Sequence, residues 1–153
     1  MDDWQISGSF FRILNTRWGP FSIDLFANFY NRKCERFYSL FYTPESQGVD
    51  ALAFSWRGEN ALMVPPIPLI PRVLGHARRC RCEGVLVAPV WTSAVFWPLL
   101  QGEYRGYIQG VSVVKGKRVL EQGRNENSIF GSSRFQGDLV AMRLIFKKKK
   151  ICR

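Results

Sequence analysis

Two short segments hold the residues best suited to chemistry. Ile23-Asp24-Leu25-Phe26-Ala27 carries an acid near the carboxyl end of an apolar run that reads as a strand over 21–26, a costly place for a charge unless a donor or ligand meets it. Val64-Pro65-Pro66-Ile67 closes a second apolar run with two prolines, which cannot continue a central ladder and form a rigid turn that exposes carbonyl acceptors. If the two runs are neighbouring parallel strands, both segments reach one rim of a sheet, where open α/β sheets bind ligands. An acid there accepts hydrogen bonds from a ribose hydroxyl or an amino group. Each segment also has a plainer reading: a strand-end Asp caps a turn, and a diproline ends a strand.

Other chemistries find little support. His76 is the single histidine, which excludes machinery needing two. Cys80 and Cys82 are separated by one residue, tighter than the spacing that opens structural zinc sites, so no metal is expected. The chain opens Met1-Asp2-Asp3-Trp4, without the basic and apolar regions of a secretory signal, so an intracellular protein of the nucleus or cytoplasm with reduced thiols is expected. The longest uncharged apolar stretch, Val85 to Leu100, is broken by Pro89 and Pro98 and falls about four residues short of the roughly 20 that cross a bilayer, so no membrane span is expected.

Charge is placed unevenly. The 153 residues carry 22 Lys and Arg against 12 Asp and Glu, a net +10. Arg72, Arg78, Arg79 and Arg81 form one acid-free cluster, and Lys147, Lys148, Lys149 and Lys150 form a second. Such clusters attract polyanions by counterion release, which makes nucleic acid the expected partner class; the plainer reading is a solvated helix face and a frayed tail.

The elements that would position these residues follow from pattern. With 46% apolar and 22% charged residues, a packed domain is expected, here one unit over 1–146 followed by a basic tail over 147–153. Phe10, Phe11, Leu14 and Trp18 fall at helical spacing between a Ser9 cap and a Gly19-Pro20 stop. Strands are expected over 37–42, 60–64, 84–89, 107–114 and 139–146. A helix follows the diproline with Leu69, Ile70, Val73, Leu74 and Ala77 on its inner side, and Thr92 can cap another. Lys115-Gly116-Lys117 suits a hairpin turn. Strands alternating with helices and closing on a hairpin predict an α/β domain with a mostly parallel sheet and an antiparallel C-terminal edge.

The order Asp3-Trp4, Phe10-Phe11, Ile23-Asp24-Leu25-Phe26-Ala27, Asn31-Arg32-Lys33-Cys34, Trp56, Val64-Pro65-Pro66-Ile67, Val85 to Pro89, Trp97 and Lys115-Gly116-Lys117 resembles the phage-type DNA adenine methyltransferases. More closely it resembles the degenerate copy of that domain downstream of ribonuclease H in DIRS-type, tyrosine-recombinase retrotransposons. The resemblance implies a Rossmann-like S-adenosylmethionine methyltransferase fold, with Asp24, Phe26 and Ala27 in the cofactor-binding motif and Asp50 near the cofactor's adenine. It also puts Val64-Pro65-Pro66-Ile67 where the family carries a catalytic Asn-Pro-Pro-Tyr. Valine cannot accept a hydrogen bond from the target amine, and isoleucine cannot stack on a flipped base. Losing one hydrogen bond to the reacting group costs on the order of 10²–10³ in rate, so a catalytically inactive, methyltransferase-like domain is expected. An active methyltransferase with a divergent motif, and a structural spacer of a mobile-element polyprotein, are the alternatives. Asn60, four residues before the first proline, lies about 13 Å away along a strand and cannot replace the missing acceptor.

Overall fold

The computed structural model describes residues 5–27, 32–39, 48–116, 120–121 and 137–147. The first helix, α1 (Gly8–Trp18), starts where Ser7 Oγ accepts the Phe10 N–H at 3.1 Å and ends where the Gly19 N–H reaches Asn15 O. The cap is therefore Ser7 and not Ser9, two residues earlier than expected, and Phe10 and Leu14 turn inward from the helix it starts.

Among the described residues, strands follow in the chain order β1 (Gln5–Ile6), β2 (Ile23–Ala27), β3 (Phe37–Ser39), β4 (Gly48–Val49), β5 (Asn60–Met63), β6 (Glu83–Pro89), β7 (Ile108–Lys115), β8 (Leu120–Glu121) and β9 (Asp138–Ile145). Seven form one sheet in the order β4-β3-β2-β5-β6-β9-β7. The first five run parallel, and β9 is antiparallel to β6 and β7 on either side. The domain is thus α/β with a mostly parallel mixed sheet and an antiparallel C-terminal pair. From β2 the chain steps outward to β3 and β4, then returns to the other side of β2 as β5, so strand progression reverses between β2 and β5.

Helices cover both faces. Phe10 and Leu14 of α1 pack with Ile6, Leu62, Val64, Val85, Val87, Leu139 and Ala141 on one side. On the other, α2 (Ile70–Cys80) presents Ile70, Val73, Leu74 and Ala77 to Ala61, Met63, Leu86, Ala88, Val140 and Met142. Alternate residues of β5, β6 and β9 supply the two cores, as strand geometry requires. At Gly84 an added Cβ would lie 2.4 Å from Ala61 O, so the approach of β6 to β5 demands glycine.

Several expectations change. Between β4 and β5 the chain forms only a 3-10 turn over Ala51–Ala53, because ten residues leave no room for a three-turn helix, so strands and helices do not alternate strictly. Thr92 lies in turns, and α3 is the five-residue Trp97–Gln101 preceded by Phe96. After β7 the chain does not turn directly back: β8 pairs with β1, Gln5 opposite Glu121, before β9 begins. Lys115 therefore ends β7 opposite Asp138, without a tight hairpin. Residues 40–47, Lys117 and 122–136, with the expected end of the 37–42 strand, lie outside the described residues, as do Asp3, Trp4 and Asn31.

Candidate functional site

The reversal between β2 and β5 sets Asp24 opposite Leu62, and Gln5, Ile6, Asp24, Phe26, Lys33, Leu62 and Val64 line one pocket of about 230 Å³, open mouth included. Asp24 is the second residue of β2, three residues before the end of the strand rather than near its carboxyl end, because pairing runs on to Ala27. It is 3% exposed. Its Oδ2 accepts the Lys33 N–H at 2.9 Å, whereas Oδ1 has no hydrogen-bond partner among the described residues. Burial pushes its carboxyl up to about 6 from an ordinary value near 3.8, against the Lys33 and Phe26 N–H groups and the Lys33 ammonium. Burial and the Asp24 charge push the neighbouring Cys34 thiol up to about 12.

The remaining expected site residues divide. Phe26 and Val64 join Asp24 at the pocket, whereas Ala27 is buried behind it. Val64 is 8% exposed and belongs to the α1-side core. Pro65 and Pro66 are buried, and Pro66 O accepts the Leu69 N–H at 2.9 Å, so the turn consumes a carbonyl expected to face a ligand. Ile67, half-buried, opens that turn and packs against both cores. Asp50 does not line the pocket: it is exposed, with φ 66°, and its Oδ1 caps its own turn at Leu52 N–H. Lys33, Gln5, Ile6 and Leu62 are the lining residues that sequence reasoning assigned no role. Lys33 Nζ donates to Gln5 Oε1 at 3.4 Å, a contact across 28 residues that no local pattern announces.

The expected basic face is partly spent on internal pairs. Arg78 bonds Glu103 at 2.8 Å and lies over the Tyr104 ring, and Lys147 bonds Glu83 at 2.6 Å. Arg72, Arg79 and Arg81 are exposed on or just after α2, Arg81 as its left-handed C-cap. Lys148, Lys149 and Lys150 lie outside the described residues.

A polar cluster sits at the opposite, amino-terminal ends of the strands. Arg143 donates to Asn60 Oδ1 and Glu83 Oε1, each at 2.6 Å, while Asn60 Nδ2 donates to Trp18 O and Pro20 O. Asn60 is thereby committed to structure. Glu59 pairs with Arg36 at 2.7 Å and accepts from Ser22 Oγ. His76 Nε2 donates to Phe54 O at 2.6 Å and stands 3.5 Å from Cys80 Sγ. Among the described residues no group of three His, Cys, Asp or Glu could hold a metal, Cys34, Cys80 and Cys82 are free thiols, and no helix is long and apolar enough to cross a membrane. Trp91 and Trp97 are half-buried against the cores.

Among the described residues the pocket offers one buried unpartnered acceptor, Asp24 Oδ1, between the apolar Ile6, Phe26, Leu62 and Val64 and the polar Gln5 and Lys33. No family model and no curated protein matches the chain.

Proposed function

We propose that this chain is a methyltransferase-like domain of the DIRS retrotransposon type that has lost methyl transfer. The observation carrying the reading is Val64. It follows β5 beside the cleft that Asp24 and Phe26 of β2 also line, where an adenine methyltransferase needs a side-chain acceptor, and it is an apolar residue packed into the α1-side core. The strand order supports the scaffold half of the reading: five parallel strands reversing between β2 and β5 follow the doubly wound pattern. The Pro66 carbonyl engaged by Leu69 supports the loss of function. What remains is weak polyanion contact through Arg72, Arg79 and Arg81; Arg72 and Arg79, seven residues apart, share one stripe of α2 about 10 Å long.

Equilibrium dialysis against labelled S-adenosylmethionine tests the reading. No saturable binding is expected up to millimolar cofactor, and micromolar binding abolished by Asp24→Ala would establish the active alternative instead. Gel-shift affinity for duplex DNA is expected to fall with salt at a slope near −0.9 per phosphate neutralised, and a salt-independent affinity would remove the polyanion contact.

A further inference from the structure

We propose that the outer edge of β7 pairs with the same edge of a second copy of this chain, antiparallel about a two-fold axis through Ser112. β7 is the last strand of the sheet, and among the described residues no strand pairs its outer side. It is eight residues long, with Gln109, Val111, Val113 and Lys115 exposed on one face, the two valines 51% and 57%. Edge strands usually carry a protecting proline or a central charge. Between Val111 and Val114 there is neither.

The sequence of the edge selects the occupant. In an antiparallel ladder, hydrogen-bonded residues on both strands must point their N–H and C=O outward, which for two copies of one strand restricts the paired numbers to even sums. A sum of 222 sets Val113 opposite Gln109, and a sum of 226 sets Val111 opposite Lys115. Only 224 places each valine against a valine of the other copy; it also sets Gln109 against Lys115 and sends the two lysines to opposite ends. Cross-strand valine contact and lysine separation both favour that register, and the arrangement is isologous, as a two-fold dimer requires. Each copy carries +10, so association strengthens as salt screens the repulsion.

Sedimentation velocity over a hundredfold concentration range, at low and high salt, reads the prediction. A monomer–dimer equilibrium is expected that shifts toward dimer with salt and is lost in Val113→Lys, whose exposed position leaves folding intact by circular dichroism. In Ser112→Cys, mild oxidation is expected to link residue 112 to its counterpart, since directly opposed residues stand about 4.5–5.5 Å apart at Cα, within disulfide reach; Val114→Cys, opposed by Gly110, is expected not to form its own homodisulfide. A monomer at every concentration, a dimer indifferent to Val113→Lys, or cross-linking without the 112–112 peptide overturns the proposal.

Discussion

Replacing Asp24 by Asn tests the electrostatics of the cleft directly. The native carboxyl is lifted from 3.8 to about 6 by burial, and at 1.36 kcal/mol per pH unit of displacement this corresponds to about 3 kcal/mol between its two protonation states. The sign follows from the direction. A raised acid favours the fold while protonated, fully so below pH 3.8, and that contribution is lost as pH rises through 6. Asparagine keeps an oxygen for the Lys33 N–H without the charge, at some cost for burying its amide. Asp24→Asn is therefore expected to be more stable than the native chain by about 1–3 kcal/mol at pH 8, with the difference shrinking toward zero by about pH 4. At roughly 2–4 °C per kcal/mol for a chain of this size, a 2 kcal/mol gain raises Tm by about 4–8 °C. Urea denaturation of both proteins at half-unit steps from pH 4 to 8 isolates Asp24, since the Cys34 thiol that its charge also raises stays protonated over that range. A difference that is flat in pH, or one that favours the native chain increasingly as pH rises, refutes the reasoning.

Three further perturbations report on the scaffold. Arg143→Ala takes the donor from Asn60 Oδ1 and leaves Glu83 with Lys147 as its remaining ion pair; losing hydrogen bonds to a charged, mostly buried group costs about 1–3 kcal/mol, measurable by urea unfolding, and Arg143→Met is expected to cost less because it restores packing. Gly84→Ala drives a Cβ to 2.4 Å from Ala61 O, so loss of a cooperative thermal transition is expected by calorimetry, whereas a shift under about 1 kcal/mol would show that β5 and β6 can part. Ser7→Ala removes the cap on Phe10 N–H and is expected to lower stability by about 1 kcal/mol, read by the same urea titration.

The class of the fold was legible because its strongest signals are periodic. Val85 to Ala88 is an unbroken apolar run, completely buried in the sheet interior, and Val73, Leu74 and Ala77 recur at helical spacing and face the core. The meeting of the Asp24 and Val64 segments was also legible, since parallel neighbours of similar length bring equivalent positions together. What stayed hidden depends on long-range geometry. The resemblance implies Asp50 near a cofactor's adenine, but its carboxylate caps its own turn, a choice made by the left-handed backbone at that residue. Asn60 is taken by Arg143 across 83 residues, and the Lys147 charge by Glu83. The detour of the chain through β8 to β1 is invisible to strand patterning because two-residue strands carry no periodicity.

Methyl transfer itself tests the central claim most directly. Purified chain, tritiated S-adenosylmethionine and adenine-containing duplex DNA are incubated together, and label in the DNA is counted beside a sample without protein. The account predicts counts indistinguishable from that blank. Label accumulating in proportion to protein and time, and located on the adenine amino group, would contradict it.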